Sequence, residues 1–215
     1  KKSAKFSQVF SKGPKINRLS LARMFLFGAR DVWFVVGIPI YFYAVLSDGT
    51  KAGTQTAFFA IGIFMAIWII LYGLVQANAP RLLRAKQRGQ GALIKDSAAW
   101  VLGLSVVPAV LALVLSLMVS PTSVTTSVLV IGLLLFGAVF AVNSALHSYL
   151  ILAFTDSERV TMDVGFYYMS NAAGRLLGTI LSGLSYQLGG VWLCLAMASA
   201  MLIVSALGAH KLRSV

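Results

Sequence analysis

The sequence predicts an all-α integral membrane protein, a bundle of six transmembrane helices, and three observations carry that expectation. Hydrophobic residues make up 59% of the 215-residue chain and charged residues 11%, which leaves too little polar surface to keep a water-soluble domain wet. The apolar residues collect in blocks of about twenty, the length that spans a ~30 Å hydrocarbon core at ~1.5 Å per residue. Most Lys and Arg residues fall between those blocks, where positive charge sets orientation rather than marking a nucleic-acid surface.

Residues 1–20 read as a basic arm. Lys1, Lys2, Lys5, Lys12, Lys15 and Arg18 alternate with Phe6, Val9 and Phe10, and Gly13-Pro14 breaks any helix in the middle. Such a segment lies on a membrane surface or forms a solvated linker, and neither role needs nucleic acid. The chain begins Lys1-Lys2 with no initiator methionine and no signal-peptide pattern, as expected of a segment cut from a longer protein or lacking its beginning.

Residues 21–215 form the second expected unit, the bundle itself, with helices at 21–46, 57–79, 94–119, 128–154, 164–188 and 191–209. The connections alternate in charge. Arg81, Arg84, Lys86, Arg88 and Lys95 crowd one loop, whereas 47–56 and 120–127 hold only Asp48 and Lys51. Positive loops stay in the cytoplasm, so both ends of the chain are expected there. The loop from Asp156 to Asp163 is acidic on balance, but acidic residues weigh little in orientation. The single cysteine, Cys194, has no partner for a disulfide or a zinc site.

Charge inside the blocks points to a site. Counted from Ser20, Arg30 and Asp31 fall ~15 Å down the first helix, and Arg175 falls ~18 Å beyond Asp163 on the fifth, both near mid-membrane. One such charge costs about 2.5–3.5 kcal/mol in lipid, so each needs a compensating environment. Neighbours on a helix lie ~100° apart, which lets Arg30 and Asp31 border one cavity without facing each other squarely. Arg175 has no acidic residue near it on its own helix and needs a partner from another.

Helical spacing aligns Tyr168, Asn171, Arg175, Thr179, Ser182 and Tyr186 in one polar stripe, expected to face an internal pathway. Arg23, Phe27, Arg30, Phe34, Gly37 and Tyr41 make a mixed stripe on the first helix. A planar guanidinium grips an oxyanion through two parallel hydrogen bonds. Arg30, Arg175, Asn171, Tyr168, Tyr41 and Asn143 are therefore the candidate substrate contacts, and Asp31 and His147 the candidates for proton coupling. Two structural alternatives stand beside this reading. Asp31 and Arg175 can form a bridge that only ties helices together, and Asn143 and His147, with Ser144 and Ser148, can serve interhelical hydrogen bonding. Gly174, Gly178 and Gly183 signal close helix approach. No metal-ligand spacing, phosphate-binding loop or activated nucleophile is visible, so the chain is expected to be no enzyme and to need no cofactor.

Six helices with both ends cytoplasmic, a basic leading arm and a basic loop after the second helix resemble the carboxy-terminal half of a major facilitator superfamily transporter. Two stretches, Arg23-Met-Phe-Leu-Phe-Gly-Ala-Arg-Asp-Val-Trp-Phe-Val-Val-Gly and Asp163-Val-Gly-Phe-Tyr-Tyr-Met-Ser-Asn-Ala-Ala-Gly-Arg-Leu-Leu-Gly-Thr, resemble the organoarsenical efflux permease (ArsJ) family. The resemblance implies one half of a twelve-helix fold working with a missing amino-terminal six-helix half. It also implies export of a small anionic substrate, 1-arseno-3-phosphoglycerate, which glyceraldehyde-3-phosphate dehydrogenase makes when it uses arsenate. The loop Ala79-Pro-Arg-Leu-Leu-Arg-Ala-Lys-Gln-Arg-Gly is basic like the superfamily's signature loop but lacks its Gly-x-x-x-Asp beginning. A drug or sugar exporter of the same superfamily is the alternative within transport. A lipid head-group enzyme and a non-transporting scaffold are the alternatives outside it.

Overall fold

The structure, a computed structural model, describes residues 13–84, 87–118 and 121–214, and among these every regular element is helical. Residues 1–12 of the expected arm and Lys86 of the basic loop lie outside the described residues. Helix α1, Pro14–Phe34, begins with Gly13 at its N-cap and Pro14 in its first turn, where a missing N–H costs nothing. The Gly13-Pro14 pair therefore starts a helix, and Lys15 to Ser20 belong to the bundle rather than to an arm.

The expected first helix is in fact two, because α1 ends at Phe34 and α2 runs Gly37–Leu46. Pro39 offers no N–H to the carbonyl of Val35 and its ring crowds that oxygen. The Gly37 N–H leaves the helical ladder as well and donates to Ser182 Oγ at 3.2 Å.

Helices α3 (Lys51–Leu82), α4 (Gln90–Ser116) and α5 (Ser123–Phe154) follow; each starts four to six residues before its apolar block, α3 also runs three residues past its block, and α4 stops three residues short. Thr50 caps α3 by accepting from Gly53 N, and Thr122 with Thr125 forms a capping box on α5. Helix α6, Val160–His210, leads into a 3-10 turn, Lys211–Ser214.

At Gly190 α6 leaves helical geometry, with φ 68° and ψ −156°, a conformation glycine adopts without strain. The chain turns back there. Cys194 Sγ lies 3.6 Å from the Ser182 carbonyl, whereas residues twelve apart in a straight helix are ~18 Å apart. A Cβ on Gly28 would likewise touch both the Gly174 carbonyl and Met201. The stretches 160–189 and 191–210 thus run side by side, parted where the sequence parts its fifth and sixth blocks.

Five helical stretches are long and apolar enough to cross a membrane, α1 with α2 counting as one and α6 as one, which marks a multi-pass membrane protein. Two apolar clusters hold them together. The larger centres on Trp33, Phe34, Trp68, Phe136 and Phe140, whose rings meet mostly edge to face. The smaller gathers Ile16, Leu19, Leu83, Leu93, Leu150 and Leu212, so the start of α1, the end of α3, the start of α4, the end of α5 and the end of α6 share one end of the bundle. Arg18 Nη1 donates there to the Lys211 carbonyl. That end carries Lys15, Arg18, Arg81, Arg84, Arg88 and Lys95, while Asp48 and Lys51 lie at the other.

Candidate functional site

The site exists because α1 and the first arm of α6 cross backbone against backbone. A Cβ on Gly174 would collide with the Met24 carbonyl, and one on Gly178 with the carbonyl of Gly28. Only glycine fits at both positions of this small-xxx-small pair, the pattern that lets membrane helices approach closely. Gly183 faces open space and takes no part. The residue after Gly174 is Arg175, and the crossing sets it beside Asp31.

Asp31 is 1% exposed and holds two guanidiniums. Its Oδ1 accepts from Arg30 Nε at 2.6 Å and Nη2 at 2.5 Å, and its Oδ2 accepts from Arg175 Nε at 3.0 Å. The Arg30 side chain curls back to reach its neighbour, so the ~100° between adjacent positions does not prevent a direct pair. Arg30 is 13% exposed and has the rings of Phe27, Phe34 and Phe140 within 5.4–5.8 Å of its guanidinium carbon. Arg175 is 57% exposed and gives Asp31 only its Nε, which leaves the fork of its two Nη groups for another acceptor.

A cavity of about 260 Å³ opens onto this triad, walled by Phe34, Trp68 and Tyr72 among others. Two cations against one carboxylate give it a net positive charge, and aromatic walls around a few polar groups are the usual make-up of a ligand site. Trp68 is fixed by its Nε1–H, which donates to the Leu133 carbonyl at 2.8 Å. Sequence reasoning missed Trp68 and Tyr72, although two aromatic residues with polar tips one turn apart in the middle of an apolar helix are a usable signal.

The remaining candidates do not converge on the cavity. Tyr41 is buried, and its hydroxyl pairs with Thr126 Oγ1 at 3.3 Å, near the Lys51 end of the bundle. Tyr168 is 55% exposed and leans on the Tyr167 ring. Asn171, a turn further along α6, is half-buried with an unpartnered Oδ1. The α6 stripe is not turned into the interior of this bundle. Its Tyr168 and Arg175 lie on the outside, and only Ser182 is fully buried.

Asn143 and His147 are completely buried on α5. Asn143 Nδ2 donates to the Val139 carbonyl at 3.2 Å, a bond within its own helix, while its Oδ1 and both His147 nitrogens have no partner. Ser144, named with them, does make interhelical bonds, accepting from Arg23 Nη1 and from the Tyr72 hydroxyl.

Comparison of the chain with protein-family models, with curated proteins and with solved structures finds no match in any of the three.

Proposed function

We propose that the chain is one half of an alternating-access transporter that exports small organic anions, with Arg30 and Arg175 holding the anion over Asp31. Six crossings with both ends in the cytoplasm of a bacterial inner membrane are part of this proposal, and the turn at Gly190 and the basic charge at one end of the bundle support the count and the orientation. The observation that carries the reading is Arg175: a guanidinium 57% exposed near the middle of a transmembrane-length helix, with free donors beside a positively charged cavity. Facing lipid, it would cost about 2.5–3.5 kcal/mol. Covered by a second six-helix bundle, it would line the seam where transporters of repeated halves bind substrate. The sequence resemblance supplies a cargo, 1-arseno-3-phosphoglycerate, and with it a link to glyceraldehyde-3-phosphate dehydrogenase. Asp31 competes with the anion for both arginines and so sets the release step.

Arg175→Lys keeps the charge and removes the fork. In vesicles containing this chain and its partner half, that variant and Arg30→Lys are each expected to cut export of the anionic cargo at least tenfold at normal membrane levels. Wild-type export by both would refute recognition by the arginines. One observation favours a second reading, in which the triad is purely structural: Asp31 does bridge α1 to α6 through Arg175. Loss of both variants from the membrane would decide for it.

A further inference from the structure

Two α-helical turns before Arg30, the same stripe of α1 carries a cation that the cavity does not account for. Arg23 is 4% exposed, and among the described residues no carboxylate pairs with it. Its Nη1 donates to the Ser144 carbonyl at 3.0 Å and to Ser144 Oγ at 3.3 Å, and its guanidinium carbon sits 3.9 Å from the Phe27 ring centre and 4.9 Å from that of Tyr167. Its Nε has no partner.

A buried cation balanced only by dipoles and ring faces is costly, and the surroundings deepen the deficit. His147, within electrostatic reach of Arg23, is completely buried with both ring nitrogens unpartnered, and Asn143 Oδ1, on the same turn of α5 as Ser144, is unpartnered too. Arg23 Nε and the ring N–H of His147 lack acceptors, while the bare ring nitrogen of His147 and Asn143 Oδ1 lack donors. Hydrogen phosphate offers both. This layer also connects to the cavity, because the Tyr72 ring lines the cavity while its hydroxyl donates to Ser144 Oγ at 3.2 Å. Arg23 and Arg30 flank one ring, Phe27, at 3.9 and 5.4 Å.

We propose that Arg23, with His147 and Asn143, forms a second oxyanion site, closer to the basic end of the bundle than the cavity and reached from it when Tyr72 swings away from Ser144. The site takes a tetrahedral oxyanion that carries a proton. It extends the proposed anion route by one station, but its binding chemistry does not depend on Arg30 or Arg175, and the experiment keeps the two apart.

The purified chain in lipid nanodiscs is titrated with radiolabelled inorganic phosphate. Arg175→Gln is expected to retain one saturable equivalent, and adding Arg23→Gln is expected to weaken it at least tenfold. Arg23→Lys holds the charge in place for folding but lacks the fork, and is expected to weaken the same equivalent similarly; it decides the matter if Arg23→Gln does not fold. Phosphate binding that Arg175→Gln abolishes entirely would overturn the second site and leave the cavity reading standing. Binding that Arg23→Gln removes and Arg175→Gln leaves untouched in full would support the second site and count against the cavity. Arg23 variants that bind like wild type would overturn the inference outright, with Arg23 then serving only to pin α1 to α5.

Discussion

Helices α1 and α3 reverse the rule that governs water-soluble proteins. The stretch Pro14–Leu46 has a mean hydropathy of 1.4 in its most apolar window, and 67% of that window is buried, whereas Lys51–Leu82 reaches 2.5 with 6% buried. In a soluble domain the more apolar helix would be inside. Here the helix with Arg23, Arg30 and Asp31 sits at the centre, and the helix presenting Phe58, Phe59, Ile63 and Ile70 faces outward. The inversion follows if the solvent is lipid: tails are as apolar as Leu, so aliphatic surface gains nothing by burial, while charges must be drawn inward to find partners.

The largest effect is expected at the centre of α1. Asp31→Asn removes the one negative charge between two guanidiniums and leaves Arg30, already 13% exposed, without a counter-ion. Breaking a buried pair from one side costs about 3–5 kcal/mol, so the variant should show a large fall in detergent-solution melting temperature. A melt equal to wild type would mean that α1 does not owe its central position to charge pairing.

The outward face of α3 supplies the next test. Ile70 is 61% exposed near the middle of the helix, and Ile70→Lys is expected to disfavour insertion by about 2.5–3.5 kcal/mol if lipid lies beside it. Insertion of an α3 segment into microsomes, scored by glycosylation of flanking acceptor sites, measures this. Unchanged insertion would put water, not lipid, against that face and would remove the reason for the inversion.

A matched pair of glycines gives the third test. Gly174→Ala drives a methyl group into the Met24 carbonyl and should cost about 1–3 kcal/mol while parting Arg175 from Asp31. Gly62→Ala on α3 meets nothing within 4 Å and should be neutral or stabilise by up to about 1 kcal/mol through helix propensity. Equal effects in thermal melts would erase the distinction between the two helices.

The helices were legible because hydropathy alone marks them, and the Gly189-Gly190 boundary between the last two blocks is where the chain turns. The break after Phe34 is not legible, since Val35 and Val36 continue the apolar run and only Gly37 and Pro39 hint at it. Arg30, Asp31 and Arg175 could be singled out because charge is rare in such helices. Their mutual geometry could not, as it depends on an interhelical crossing set by Gly174 and Gly178. Tyr41 illustrates the limit of stripe reasoning: its face was read through a break that ends the regular spacing. Arg23 stands out in the sequence as part of a stripe, but its isolation from carboxylates depends on how α5 and α6 pack around it.

The smallest expected effect contrasts two aspartates. Asp31 is held by guanidiniums inside the bundle, while Asp48, fully exposed in the connection before α3, accepts from Thr50 Oγ1 at 2.7 Å and Thr50 N at 2.9 Å. The Thr50 hydroxyl and then its backbone N–H hold the Asp48 carboxyl below its ordinary value of 3.8. A depressed folded-state value means that the contribution is complete above the unfolded value and fades as pH falls through the folded one. The Asp48–Thr50–Gly53 cap should therefore be intact from neutral pH down to about 4 and loosen below that. Amide exchange at Thr50 and Gly53, corrected for the intrinsic rate at each pH, should show protection falling only under acid conditions and only at this end of α3. Protection that already declines between pH 7 and 5 would place the titrating group elsewhere, and Thr50→Ala, which removes the cap at every pH, should abolish the acid step altogether.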